Sequence, residues 1–379
     1  MPANDKHPLV ITRRRLFTGG TALAAGALLG APLLAACGAD DNQAGGSSAA
    51  GGSSPAGGAT SGSAPGGSGS TSKVDFQIAW VGDNGVLGEV VAFQKGFYKD
   101  AGLDLTFRPG GPSIDPVTTT ASGAVTFAQT SSSPAIMLGR SQGLPIKAFA
   151  AQLQSWPWAL ISTAKNPVLK PQDLIGKTVG TQSTGQILIK ALLAQNKIDP
   201  DQVKVQVVGS DVTPLVTGRI DVYTGWTTNL QSYEPLGDDY HAMTLGDAGI
   251  PSYAGVYLAT DEVLEKRADE LQAFLVASGK GWDYARQNPD ESVDLLVKQF
   301  SGLDKAPQLA ASKKLMSYMF DDATAQDGWA TMSKENWQSQ LDLWDSLGQF
   351  EGKTPKVDDV MTLDILEATK SDRPKVGKA

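Results

Sequence analysis

Cysteine and histidine are almost missing from this chain. Cys37 is the single cysteine, and the two histidines are His7 and His241. Beyond Cys37 no thiol remains for a disulfide, a Cys-metal site or a Cys-His nucleophile pair. With His241 alone, zinc sites and Ser-His-Asp triads also lack their parts. Its surroundings, Asp238-Asp239-Tyr240-His241, read as an acidic surface rather than a ligand site. No catalytic residue, metal or cofactor is therefore expected. Basic tracts are missing too: the formal charge is −8, and Lys6, Arg13, Arg14 and Arg15 all lie ahead of Cys37. The chain beyond Cys37 is more acidic than the whole, which excludes nucleic acid as a partner. Long apolar runs are scarce. The nearest, Thr18 to Leu34, is interrupted by Gly26, Gly30 and Pro32, as in a removable signal rather than a permanent span.

The amino-terminal segment is rich in a few residue types. Arg13-Arg14-Arg15-Leu16-Phe17 ahead of a weakly apolar stretch has the form of a twin-arginine export signal, with general secretion the alternative. Leu34-Ala35-Ala36-Cys37 resembles the lipobox of bacterial lipoproteins, which makes Cys37 the candidate lipidation site. Residues 1–36 are thus expected to be the signal peptide. Residues 37–72 are expected to be a lipidated cysteine followed by a disordered Gly/Ser/Ala linker, since such a composition has nothing to bury. A tether of about 35 such residues reaches roughly 30–35 Å.

About 300 residues remain, too many for one ordinary core and suited to two lobes. Val74 to Pro112 organises them. Val74, Phe76 and Ile78 alternate, and Gly82-Asp83-Asn84-Gly85 closes the run, which predicts a strand and a turn. Val86 to Phe97 carries helical spacing, Gly102 stops it, and Leu103 to Phe107 begins a second strand before Gly110-Gly111. This β-loop-α-β unit builds parallel sheets covered by helices. A later passage echoes it: strand, short helix, then Gly123-Ala124-Val125-Thr126-Phe127, against strand, short helix, then Gly218-Arg219-Ile220-Asp221-Val222. The same unit twice predicts two similar α/β lobes facing across a cleft. The expected partition is 73–165 plus 250–379 for lobe 1 and 166–249 for lobe 2. Ala159 to Thr163 is the expected first crossover, with hinges near Thr163 and Tyr253. Gly180 and Gly185 have the spacing of a phosphate-binding loop, but Gln186 stands where that motif requires lysine, so no nucleotide site is expected.

The phrase Gln94-Lys95-Gly96-Phe97-Tyr98-Lys99-Asp100-Ala101-Gly102-Leu103, between a Trp-bearing polar loop and a Gly-Gly-Pro turn, resembles the substrate-binding proteins of the nitrate/sulfonate/thiamine-pyrimidine group of ABC importers. The resemblance implies a two-lobed, type II periplasmic-binding-protein-like α/β fold. Each lobe would be a mostly parallel sheet flanked by helices, with the ligand cleft between the lobes. It also implies a monomer, held at the outer face of the cell membrane by its lipid, that traps a small-molecule solute by lobe closure and delivers it to the permease and ATPase subunits of an importer. A lipoprotein sensor would use the same binding chemistry. The pyrimidine synthases that resemble this group rely on histidine and a cysteine-rich motif, and their absence here speaks against an enzyme.

Ligands of open α/β sheets sit beyond the carboxyl ends of the strands. That rule selects Trp80, Asp83, Asn84 and Gly111 around the first unit, and Gln129, Thr130, Ser131 and Ser132 after the third strand. It also selects Trp156 near the lobe boundary, Ser183 and Thr184 before a helix, Tyr223, Trp226 and Asn229 after the echo, and Tyr253 on the return path. Stacking aromatics among neutral donors and acceptors suit a flat polar heterocycle, a thiamine-type pyrimidine or a flavin-like ring. An alkyl or aryl sulfonate or nitrate is the alternative, bound at helix N-termini and hydroxyls. Arg108 is the sole cationic side chain near these loops, which disfavours a multiply charged anion. Asp83 has a second role open to it, capping the following helix. Trp282, Trp329, Trp337 and Trp344 fall in helical runs and read as core.

Overall fold

The computed structural model describes residues 71–378 apart from Pro112, Ser183 and Thr184. The readings of the signal, of Cys37, of the linker through residue 70, and of Ser183 and Thr184 as site residues lie outside the described residues. Ten strands are present among the described residues: β1 Ser72–Gln77, β2 Leu103–Arg108, β3 Phe127–Ser132, β4 Ile146–Leu153, β5 Trp158–Thr163, β6 Thr178–Thr181, β7 Lys204–Val207, β8 Val222–Trp226, β9 Tyr240–Thr244 and β10 Ala254–Thr260. They form two five-stranded sheets, β2-β1-β3-β10-β4 and β7-β6-β8-β5-β9. Both sheets belong to one compact unit.

The sheets share one plan. Three neighbouring strands run parallel, and the fourth in each, β10 or β5, runs antiparallel to both its neighbours. The sequence echo falls on β3 and β8, which hold the central place in their sheets. In both copies a short helix, Pro116–Ala121 or Thr213–Val216, is followed by a glycine in the left-handed region, Gly123 (φ 74°) or Gly218 (φ 70°). Only glycine takes that conformation without strain, which explains why the echo is anchored on it.

Two boundaries differ from expectation. Trp158–Thr163 is a strand of the second sheet, paired with β8 and β9, and not a crossover or a part of lobe 1. Thr163 lies at its far end opposite Tyr240, so it cannot be the hinge. The chain passes between the sheets at residues 154–157 and 245–253, which join β4 to β5 and β9 to β10. The extended backbone imposed on Trp156 by Pro157 suits such a passage.

The first lobe has an aromatic interior. Phe76, Phe127 and Phe274 converge, with ring centroids 5.2, 5.2 and 4.4 Å apart, and Tyr257 adds an edge 5.4 Å from Phe274. The helices Leu87–Gln94 and Ala268–Gln287 cover this face and cross where two glycines meet. A Cβ on Gly281 would stand 2.0 Å from the Gly88 carbonyl oxygen, and one on Gly88 2.2 Å from Trp282. Trp282, Trp329 and Trp337 are fully buried and Trp344 nearly so. The family-like phrase has a structural basis here. Gly96 (φ 83°) and Gly102 (φ 76°) each follow a helix end, and Tyr98 stacks on Phe274 at 5.7 Å. Among the described residues no helix is long and apolar enough to cross a membrane.

Candidate functional site

The carboxyl ends of the parallel strands in both sheets come together where the chain crosses. β3 ends at Ser132 opposite Ala254, β4 ends at Leu153 opposite the same residue, and β8 ends at Trp226 opposite Trp158. The expected site residues divide here into those on open loops and those engaged in the sheets.

The turn after β1 is the most exposed part. Trp80 is 50% exposed. Its carbonyl accepts from the Gly110 N–H at 3.1 Å, and a Cβ on Gly110 would stand 2.5 Å from the carbonyls of Ile78 and Trp80. Gly110 is therefore required for the close approach, and Gly111 (φ 146°) continues the turn. Asp83 caps the following turn, its Oδ1 accepting from the Gly85 N–H at 2.8 Å. Burial pushes its carboxyl above the usual range against the pull of that N–H. Asn84 is held from outside: its backbone N–H and side-chain amide donate to Gln308 Oε1 at 2.9 and 3.3 Å.

Gln129 and Thr130 are in strand β3 and nearly buried, rather than on a loop. The Gln129 amide donates to Gln152 Oε1 at 2.5 Å, and the Gln152 amide donates to the Gly85 carbonyl at 2.9 Å. The polar floor thus supports the Asp83–Gly85 turn from below. Ser131 and Ser132 close the strand and are half-buried. At the next residue the helix Ser133–Ser141 begins, and its first N–H donates to the Tyr253 carbonyl at 3.1 Å. That N–H group is taken, so it is not free for an anion.

Around the crossing, Trp156 and Trp158 lie 6.4 Å apart and are each 7% exposed. The Trp156 indole N–H is buried without a partner. Trp226 is half-buried beside them in the register of β8, and its carbonyl accepts from the Tyr233 hydroxyl at 2.9 Å. Asn229 is exposed on the turn after β8. Two tyrosines are engaged in the lobes. Tyr253 accepts from the Ser333 N–H at 3.0 Å through its hydroxyl. Tyr223 packs in the small second core with Tyr233, and burial raises its phenol above the usual value.

Several participants were not visible in the sequence. Tyr318 accepts at its carbonyl from the Gln154 N–H at 2.8 Å, and its hydroxyl accepts from Thr227 Oγ1 at 2.7 Å. It therefore touches both the crossing segment and the exit of β8. Gln308 sits in the preceding helix, Lys305–Met316. Neither residue carries a local signal, because helical spacing says only which face is apolar. Arg108, the expected nearby cation, is paired with Asp75 at 2.8 Å. His241 is exposed in β9 opposite Ser162. Among the described residues no group of three His, Cys, Asp or Glu side chains is placed to hold a metal.

The family model described as "NMT1/THI5 like" matches residues 84–292, more than half of the chain. This chain belongs to the NMT1/THI5-like family. The match begins in the turn built on Asp83 and Asn84 and ends past the return to the first sheet, so it takes in every strand of both sheets except β1. Among curated relatives, the formylaminopyrimidine-binding protein of Halalkalibacterium halodurans is 31% identical over 55% of this chain. That alignment spans 64% of the relative's own length, just under two thirds. The riboflavin-binding protein RibY of Chloroflexus aurantiacus is 26% identical over 73% of this chain and 82% of its own. A relative of Legionella pneumophila at 25% identity is named a 4-amino-5-hydroxymethyl-2-methylpyrimidine phosphate synthase. Among solved structures, the periplasmic aliphatic sulphonate binding protein SsuA of Escherichia coli superposes with a TM-score of 0.58 at 14% identity, covering 78% of this chain and 99% of its own. That likeness establishes the periplasmic-binding-protein fold for this NMT1/THI5-like chain.

Proposed function

We propose that this NMT1/THI5-like protein is an extracytoplasmic solute-binding lipoprotein of an ABC importer, and that it captures a flat, polar heteroaromatic solute by lobe closure. One observation carries the ligand class. Trp80 follows β1 beside the Asp83–Gly85 turn, and Trp156 and Trp226 lie at the crossing and the end of β8, among neutral amides and hydroxyls, while the charged side chain in that turn is an acid, Asp83. Aromatic faces and acceptors suit the ring and N–H edge of an aminopyrimidine or a flavin. An anion fits less well. Arg108 is committed to Asp75, and the first N–H of the Ser133–Ser141 helix is committed to Tyr253. Relatives named for formylaminopyrimidine and riboflavin support the same class.

Transport rather than turnover is supported by the residue inventory. After Cys37 the chain has no thiol and one imidazole, exposed in β9, so a reaction built on a cysteine or on a His pair lacks its groups. The lipid anchor and the permease partner rest on Leu34-Ala35-Ala36-Cys37 and on family membership.

A thermal-shift screen of residues 73–379 against aminopyrimidines, thiamine, riboflavin, taurine, aryl sulfonates and nitrate tests the reading. A ligand at 100 times its Kd adds about 2.7 kcal/mol, an unmistakable rise in Tm. Stabilisation by the heterocycles and not by the anions is the expected result. Stabilisation confined to sulfonates or nitrate overturns the assignment.

A further inference from the structure

Beneath the Asp83–Gly85 turn lies a carboxyl group with no direct part in solute binding. Glu89, in the Leu87–Gln94 helix, is fully buried. Its Oε1 accepts from the Tyr257 hydroxyl, and its Oε2 has no partner. The Trp282 indole N–H faces the same carboxyl without a bond of normal geometry. Tyr257 faces Gln129 directly across the sheet in the register of β10 and β3, and from Gln129 hydrogen bonds run to Gln152 and on to the Gly85 carbonyl. Gly255, at φ 59°, leaves the space this chain of contacts needs, since a Cβ there would stand 2.4 Å from Gln152 Oε1.

The direction of these bonds is set by their chemistry. A carboxylate is acceptor only, so Tyr257 must give it the hydroxyl hydrogen. The tyrosine oxygen is then left as an acceptor facing Gln129, its partner across the sheet, whose amide reaches Gln152. Gln152 in turn spends an N–H on the Gly85 carbonyl. Protonation of Glu89 on Oε1 reverses the first step, because that oxygen then has a hydrogen to donate to the tyrosine oxygen. Tyr257 then needs an acceptor at Gln129, whose amide must rotate, and the support under Gly85 loses its order.

We propose that Glu89 is a positioning residue for solute capture: ionised, it holds the Asp83–Gly85 turn in its binding geometry through Tyr257, Gln129 and Gln152, and protonated, it releases that turn. The inference rests on the solute-binding reading and adds a pH dependence to it. Burial raises the Glu89 carboxyl to about 7 against the pull of Tyr257, so the switch falls at neutral pH. The groups facing it leave it without a counter-charge. Tyr257 comes from β10, and Tyr98, bonded to Ser278 at 2.7 Å, from the Phe97–Asp100 helix. Trp282 comes from the Ala268–Gln287 helix, and Gln129 and Gln152 from β3 and β4. The Pro289–Gln299 helix turns Glu291 to Lys95 at the far end of the Leu87–Gln94 helix. The Lys305–Met316 helix offers neutral Gln308 at Asn84.

Hydrogen–deuterium exchange of the ligand-free protein between pH 5.5 and 8.5, on the order of half a unit per step, reads the turn without needing the solute. After division by intrinsic rates, the peptide over residues 78–86 is expected to exchange at least about threefold faster below pH 7 than above it. In Glu89→Gln and in Tyr257→Phe that step is absent, while peptides of the second sheet match wild type. Riboflavin and an aminopyrimidine serve as binding probes, with wild-type affinity falling in parallel below pH 7 and the Glu89→Gln affinity flat. A step that persists in Glu89→Gln, or that spreads over the whole first sheet, overturns the positioning role. An exchange step confined to the turn, with no probe bound at any pH, sinks the heteroaromatic reading and leaves the coupling of Glu89 to the turn in place.

Discussion

Trp80 keeps half of its surface in solvent although Phe76 and Ile78, on the same strand and its extension, are fully buried. Nothing in the core depends on it. Trp80→Ala is therefore expected to leave Tm within the small range of surface substitutions while weakening solute binding by about 1–3 kcal/mol. Calorimetry on the ligand found in the screen, beside a melt of the free protein, checks both halves. A large loss of unliganded stability would make Trp80 a packing residue. Residue roles were readable in the sequence only where they were local. Asp83 as a cap and the glycines after β2 follow from neighbours two or three positions away. Tyr223 lies inside β8, and Tyr253 stands beside a strand end as Trp80 does, but its hydroxyl finds its donor 80 residues later, at Ser333. Alternation along a strand cannot reveal such a partner.

The helix Lys305–Met316 and the turn after it read as plain packing in the sequence. In the fold they bridge the site: Gln308 holds Asn84, and Tyr318 holds Gln154 and Thr227. The Thr227–Tyr318 bond joins the exit of β8 to the element that supports the first lobe's turn. Tyr318→Phe removes the hydroxyl acceptor and keeps the ring. A bond of about 0.5–1.5 kcal/mol lost from the closed form corresponds to roughly two- to tenfold faster solute release. Stopped-flow dissociation measures it, and an unchanged off-rate would show that the contact does not latch the lobes. The strand Trp158–Thr163 shows the complementary limit. Its existence was legible from its apolar run, but its sheet was not, because a buried strand looks the same whichever neighbours it pairs with. Only the pairing with β8 and β9 places it in the second lobe.

The two sheets repeat one plan, and the repeat was legible because left-handed glycines mark the same corner in each copy. At the same scale the buried Glu89 has a cost. Its folded pKa, about 7, lies above the ordinary carboxyl value of 4.5. The folded state thus holds its proton longer than the unfolded one, and the relative stability this gives is fully present below about pH 4.5. It is lost as pH rises through about 7. Urea unfolding of wild type against Glu89→Gln should show a difference of roughly 3 kcal/mol opening across that window, with the wild type the weaker partner at pH 8. A parallel pair of curves would mean that the carboxyl is solvated. The eight tryptophans show another whole-molecule division. Trp282, Trp329, Trp337 and Trp344 are sealed among helices of the first lobe, whereas Trp156, Trp158 and Trp226 lie at the passage between the sheets and Trp80 is half-exposed in the turn after β1. The protein therefore carries its own optical gauge: a steady emission from the sealed four, unreachable by acrylamide, and a variable emission from the other four. A change in quenching on adding a solute would report the approach of the lobes with no label attached.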